Sequence, residues 1–255
     1  MSKALKKMAA IEANIQIAKD VYSMWLTAPD IAEAAEPGQF VSLYCKDKSR
    51  LLPRPISICE TDQEQGRVRL VYRIAGKGTG EFARMAAGDQ IEVMGPLGNG
   101  FTPEGRKAIL IGGGIGIPPM LELAKRLNCE KQVVLGYRDI TFLETEFEPY
   151  ARVYISTEDG SRGIKGNVID AVRAGRLEAD IIFACGPTPM LRGIKAYALE
   201  HGIKAQLSLE ERMACGIGAC LACVCRTSET DPHTNVKNKR ICKEGPVFYA
   251  EEVEL

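Results

Sequence analysis

Residues 107–127 read KAILIGGGIGIPPMLELAKRL: an apolar run, a glycine-rich turn, then a proline-led stretch with helical spacing of its leucines. The order predicts a buried strand, a tight turn and a helix. Backbone in such a turn can approach a pyrophosphate at the helix start, with Gly112, Gly113, Gly114 and Gly116 as candidate contacts. The spacing is not the standard dinucleotide fingerprint, and a purely structural turn is the plain alternative. Working outward, strand-like runs at 132–137, 151–156 and 180–186 alternate with helical patterns at 166–174 and 190–202. That rhythm predicts a parallel α/β sheet. The run at 180–186 ends in Cys185 and Gly186, followed by Pro187, a second turn expected on the same carboxyl edge, where parallel sheets bind ligands. Two such turns point to one dinucleotide.

Upstream of residue 100 the pattern changes. Short alternating or apolar runs at 12–17, 39–44, 56–59, 68–73 and 90–93 are separated by glycine and proline. These predict a small antiparallel barrel. Within it, Arg54, Pro55, Ile56 and Ser57 set a cation, a rigid ring and a hydroxyl at a strand entrance. They suit a diphosphate and the polar edge of a flavin. Val71, Tyr72 and Arg73 and the turn carrying Gly78 and Thr79 add weight, against the alternative of an ordinary strand pair with a glycine turn.

The 255 residues suffice for two ordinary domains and a small appendage. With 33 Lys plus Arg against 33 Asp plus Glu, no bulk field favours nucleic acid or an anionic membrane, so neither is expected as a partner. The lysine-containing start is interrupted by Glu12, Asn14 and Gln16 before a secretory apolar core forms. The most apolar long stretch, 108–124, holds four glycines, two prolines and Glu122, which argues against a membrane span. A cytoplasmic protein is expected.

Of nine cysteines, five fall in the last fifth of the chain: Cys215, Cys220, Cys223, Cys225 and Cys242. Four residues separate the first two, two separate the next pair, and eighteen lie between Cys223 and Cys242. This is plant-type [2Fe–2S] ligand spacing, with Gly216 and Gly218 letting backbone pass close to the sulfides. A four-cysteine zinc site satisfies the same thiolates but more often uses paired two-residue spacings. Cys225 is expected to be a bystander, because its offset from Cys223 aims it awkwardly for ligation. Cys45, Cys59 and Cys129 are expected to be structural thiols. No catalytic triad is legible, and His201 and His233 are expected to be solvated or capping residues.

The stretches LLPRPISIC, VYRIAGKGTG, IGGGIGIPPM, FACGPTPML, ERMACGIGACLACVC and CKEGPVF, in this order, resemble the ferredoxin–NADP reductase family. With a cysteine module after the nucleotide domain, they are similar specifically to electron-transfer subunits of class 1B dihydroorotate dehydrogenases. The resemblance covers nearly the whole chain. It implies an FAD-binding barrel at 1–103, an NAD-binding α/β domain at 104–206 and a [2Fe–2S] module at 207–255. It maps flavin contacts onto residues 54–57, 71–73, Gly78 and Thr79, and cluster ligands onto Cys215, Cys220, Cys223 and Cys242; the extra Cys225 is the departure. It further implies a heterotetramer in pyrimidine biosynthesis, in which an FMN-bearing subunit oxidises dihydroorotate and this chain passes the electrons to NAD. In that family a basic residue after the strand at 153–156 usually meets the 2′-phosphate of NADP. Here the chain continues Thr157-Glu158-Asp159, so NAD is expected, with Arg162 nearby as a complication. Other readings with similar domains are a subunit of a sulfide dehydrogenase or of an NADH-dependent ferredoxin:NADP oxidoreductase, and a redox-sensing module without enzymatic activity. The loop at 213–225 is the expected contact with a partner.

Overall fold

The computed structural model describes residues 5–230 and 235–255. The first six strands are β1 (Leu5–Ala18), β2 (Val21–Thr27), β3 (Phe40–Tyr44), β4 (Arg54–Asp62), β5 (Arg67–Arg73) and β6 (Gln90–Leu97). They close into an antiparallel barrel in the order β1-β2-β5-β4-β3-β6. Closure leaves no unpaired edge, and the interior fills with Met24, Leu26, Val41, Leu43, Leu70, Tyr72, Ile91 and Val93. Two short helices, α1 (Pro29–Ala34) and α2 (Lys77–Phe82), cover its ends.

Five of these strands overlap the sequence-based expectations; β2 does not. Its seven residues, VYSMWLT, fail to alternate, because Ser23 is buried while Tyr22 and Trp25 are only partly so. The pattern has a tertiary cause. Ser23 accepts a hydrogen bond from Arg69 Nε at 2.9 Å, and the Arg67 guanidinium stacks 4.8 Å over the Trp25 ring. An arginine-covered outer face does not read as polar alternation.

The second sheet has β7 (Lys107–Gly113), β8 (Glu130–Tyr137), β9 (Arg152–Thr157), β10 (Ile164–Lys165), β11 (Ile181–Cys185), β12 (Lys204–Ser208) and, later in the chain, β15 (Val247–Tyr249). Their order is β10-β9-β8-β7-β11-β12-β15. All neighbours pair parallel except β15, which runs antiparallel to β12. Helices α3 (Pro118–Arg126) and α4 (Glu144–Phe147) cover one face, and α5 (Val168–Ala174) and α6 (Thr188–His201) the other. With both faces covered, β7 and β11 are almost uninterruptedly buried, hence their unbroken apolar sequence. Helix α5 starts in a capping box: Asn167 Oδ1 accepts from Ile169 N at 2.8 Å, while Asp170 Oδ2 accepts from Asn167 N at 2.8 Å.

The polar stretch 226–239 is in part a hairpin, in which β13 (Val224–Arg226) pairs with β14 (Asn238–Arg240). His233 lies outside the described residues. His201 closes α6, its Nδ1 2.9 Å from the Tyr197 carbonyl and its ring stacked on Tyr197. Cys45 and Cys59 are buried and Cys129 is half-buried, as structural thiols should be. Among the described residues no helix is long and apolar enough to cross a membrane.

Candidate functional site

A cavity of about 330 Å³ opens between the barrel and the parallel sheet. Arg54, Pro55, Ile56 and Ser57 enter it from β4, Val71, Tyr72 and Arg73 from β5, and Thr79 from α2, so most of the expected flavin contacts meet in one place. Their roles differ. The Tyr72 ring is buried inside the barrel, stacked on Tyr22, with its hydroxyl 3.0 Å from Asn14 Oδ1. Tyr72 therefore offers the cavity its backbone, and the outward-facing Arg73 its side chain. Burial pushes the Tyr72 phenol well up, partly offset by the bond with Asn14. Gly78 is where the wall is tightest, since a Cβ there would stand 2.2 Å from Arg54 Nε. The guanidinium crosses over bare backbone. The Thr79 hydroxyl accepts from Ala75 N at 2.9 Å and Gly76 N at 3.3 Å, which closes the turn.

The parallel sheet supplies the opposite wall, through Ile115, Ser208, Leu209 and Glu210. Glu210 was not anticipated. It follows β12 on the carboxyl edge of the sheet, a position that marks ligand contacts in α/β folds, but that strand was not foreseen. Its carboxylate has no hydrogen bond or ion pair among the described residues. It reaches solvent through the cavity mouth, yet neighbouring groups crowd it enough that desolvation pushes its carboxyl up.

The turns after β7 and β11 lie side by side, with Gly112 opposite Cys185 in the parallel register. A Cβ on Gly113 would fall 2.3 Å from Met190 Sδ, and one on Gly116 2.4 Å from the Cys185 carbonyl oxygen. Gly112 and Gly186 are equally hemmed in, by Ile117 and Met190. Close packing of the two turns thus accounts for these glycines without a ligand. Gly114, by contrast, faces open space. The Cys185 thiol points into the core, where burial pushes it up to about 12. Pro187 precedes α6 in extended conformation. Thr157, at the end of β9, is fully buried; beyond it Glu158 and Asp159 are exposed, and Glu158 borders a second cavity of about 570 Å³ against α5 and α6. Arg162 is paired with Glu144 at 2.8 Å.

The cysteine loop packs against the barrel, with Gly216 facing Ser42 and Met213 lining the flavin cavity. Gly216 and Gly218 have φ of +71° and +83°, a left-handed backbone that turns successive N–H groups toward sulfur. Ile217 N and Ala219 N lie 3.5 and 3.3 Å from Cys215 Sγ, Gly218 N 3.1 Å from Cys242 Sγ, and Cys242 N 3.4 Å from Cys223 Sγ. The thiols also pair, Cys220 with Cys215 and Cys242 with Cys223. Burial raises the Cys215 thiol, but hydrogen bonds from Ile217, Cys220 and Ala219 outweigh it and bring the pKa down to about 6. Burial and the neighbouring Cys223 push Cys242 up to about 12. Cys225 turns the other way, its thiol 3.5 Å from the Lys239 carbonyl across the hairpin.

Among the described residues no three His, Cys, Asp or Glu side chains converge as they would around one ion. Two thiol pairs, each fed by backbone N–H groups, fit the needs of two irons that take two thiolates apiece. The donor set therefore fits a [2Fe–2S] cluster held by Cys215, Cys220, Cys223 and Cys242.

Comparison with known proteins agrees with this geometry. Residues 8–101 match the oxidoreductase FAD-binding domain, and residues 210–254 match the iron–sulfur cluster binding domain of dihydroorotate dehydrogenase B. The chain is 43% identical over 260 residues to the dihydroorotate dehydrogenase B (NAD(+)) electron transfer subunit of Fusobacterium nucleatum, covering 96% of this chain and 97% of that one. It is 44% identical over 262 residues to the subunit of the same name from Bacillus velezensis, covering 98% and 99%. A solved structure of an NADH-dependent reduced ferredoxin–NADP oxidoreductase superposes with a TM-score of 0.87 at 32% identity, covering 97% of this chain and 90% of that one. Phthalate dioxygenase reductase shares the fold, with a TM-score of 0.62 at 16% identity over 98% and 96% of the two chains. Identity sustained across barrel, sheet and cysteine loop places this chain in the family of dihydroorotate dehydrogenase B (NAD(+)) electron transfer subunits.

Proposed function

We propose that this chain passes electrons taken from dihydroorotate by a partner subunit to NAD, by way of a [2Fe–2S] cluster and FAD. When bound, the flavin supplies the exchange between the one-electron chemistry of the cluster and the two-electron chemistry of nicotinamide. The chain's own residues place these groups. Arg54, Ser57 and Arg73 line the flavin cavity, the open Gly114 turn and Glu158 border the nucleotide, and the four cysteines hold the cluster. No acid–base residue is required for transfer, and none is assigned.

One observation carries the reading. Phe40 on β3 lines the flavin cavity and belongs to the same buried core as Cys223 and Cys242, so the two redox sites share one continuous core. Met213, at the head of the cysteine loop, lines the flavin cavity and packs against that same core. The proposed division is 1–103, 104–206 and 207–255, supported by barrel closure at Leu97 and by the two family matches. The third part is clasped to the second through β15.

The partner we propose is an FMN-containing catalytic subunit, two copies with two of this chain, in the cytoplasm, where thiolates stay reduced. Ile217 and Leu221 on the cysteine loop are 52% and 61% exposed, an apolar tip suited to burial against that subunit. Copurification tests this. Together the two subunits should reduce NAD with dihydroorotate, while this chain alone oxidises NADH only with artificial acceptors. Unaided turnover of dihydroorotate by the isolated chain, or sulfide- or ferredoxin-dependent turnover by the complex, would defeat the proposal.

A further inference from the structure

Successive side chains of β3 point to opposite sides of the barrel wall. Val41 and Leu43 fill the interior, while Phe40 and Ser42 face outward. Ser42 pairs with Pro55 of the flavin-lining strand on one side and with Met94 of β6 on the other. It is 1% exposed, and its Oγ has no hydrogen-bond partner. What it faces is the cysteine loop: a Cβ built on Gly216 would lie 2.9 Å from Ser42 Oγ, with Leu97 and Met94 next nearest at 3.5 and 3.8 Å.

A buried hydroxyl without an acceptor is costly, and native structures rarely leave one. Its surroundings in the protein do not explain it. Pro55 has no N–H, and Met94 and Leu97 are apolar around it. No cysteine Sγ of the protein itself meets this hydroxyl, so the acceptor it lacks is sought in the sulfur of the cluster that the loop around Gly216 would enclose. Sulfur in a reduced cluster carries extra negative charge and accepts hydrogen bonds, and those bonds raise the reduction potential.

We propose that the Ser42 hydroxyl donates a hydrogen bond to the sulfur of the cluster site and raises its potential, making Ser42 a tuning residue contributed by the flavin barrel. The hydroxyl stands between the flavin-lining strand and the cluster loop, so the barrel that holds one redox group adjusts the other. This inference rests on the reading of Cys215, Cys220, Cys223 and Cys242 as cluster ligands.

The test is a redox titration of the cofactor-loaded full chain, followed by electron paramagnetic resonance, on the parent and on Ser42→Ala, after iron and sulfide have been measured in both. Full cluster content with a potential lowered by about 59 mV, a tenfold fall in the equilibrium constant for one-electron reduction, is expected. Resonance Raman bands of the cluster should also shift less on transfer to heavy water than in the parent. Full cluster content with unchanged potential and unchanged heavy-water shift would overturn the assignment. Absence of iron from the parent would instead sink the ligand reading. Where Ser42→Ala does not retain iron, Ser42→Thr decides: a parental potential supports the hydroxyl's role, and a tenfold fall refutes it.

Discussion

The Glu122 carboxylate on α3 accepts hydrogen bonds from both the backbone N–H and the hydroxyl of Thr61 on β4, at 3.0 and 2.8 Å. Glu122 is buried, and Arg126 one turn on completes the contact at 2.6 Å. This charged joint ties the sheet to the barrel. Nearby, Arg69 is hydrogen-bonded to Ser23, Glu60 and Glu146, which spans the same boundary. The cavity between the two domains therefore has walls held in fixed relation.

Replacing Glu122 by Ala removes the acceptor of the Thr61 N–H, the Thr61 hydroxyl and Arg126 Nε, while the other guanidinium nitrogens keep the Ala35 carbonyl and the Thr61 hydroxyl. A loss of about 2 kcal/mol of stability is expected, in the range for a buried hydrogen bond to a charged group. Urea unfolding of the flavin-loaded protein measures it. Flavin retention should fall with it, and an unchanged midpoint would show the joint to be ornamental.

The flavin is expected to be FAD. Acid extraction and chromatography identify it, and recovery of FMN alone contradicts the expectation. Gly78→Ala supplies a structural check, because the added methyl collides with Arg54. Flavin affinity should drop at least tenfold with circular dichroism unchanged. Parental affinity would mean that Arg54 is not fixed by the bare backbone.

Serine substitutions at Cys215, Cys220, Cys223 and Cys242 should each reduce iron and sulfide content to a small fraction of the parent. Cys225→Ser should retain the full cluster, since its thiol bonds to the Lys239 carbonyl. Loss in Cys225→Ser together with retention in Cys242→Ser would reverse the assignment.

NADH should be preferred over NADPH. Glu158 is exposed beside the α5–α6 cavity and repels a 2′-phosphate, and Arg162, the nearby cation, is engaged by Glu144. Glu158→Arg should narrow the ratio of kcat/KM for the two nucleotides by roughly tenfold, a Coulomb effect of the size expected near a surface. Equal efficiency in the parent would end this account.

Glu210 carries a pH signature. Desolvation raises its carboxyl in the folded protein, so the native state binds the proton more tightly than the unfolded chain. Stability from this group is present below the ordinary carboxylate value and is lost as pH rises through the raised one. Glu210→Gln lacks that loss. The flavin-free variant should therefore gain stability relative to the parent as pH rises above the ordinary carboxylate value. A parallel pH profile for the two proteins would exclude the effect.

Local residue pattern alone determined the barrel-then-sheet order, the two turns on the carboxyl edge and the four-cysteine spacing. These are legible because strand and helix periods and ligand offsets are short-range properties of a chain. The cavity contacts at 54–57 and 71–73 were legible as residues but not as geometry. Only the folded barrel decides that Tyr72 turns its ring inward while Arg73 faces out. Tertiary structure alone revealed β2, whose buried Ser23 depends on an arginine 46 positions away. The same holds for β15, a short segment that becomes a strand by pairing with β12, and for Glu210 at the end of that strand. Ser42 is the extreme case. In sequence it is a serine in an ordinary strand, and its meaning comes from Gly216, a residue the fold brings against it across the whole length of the nucleotide domain.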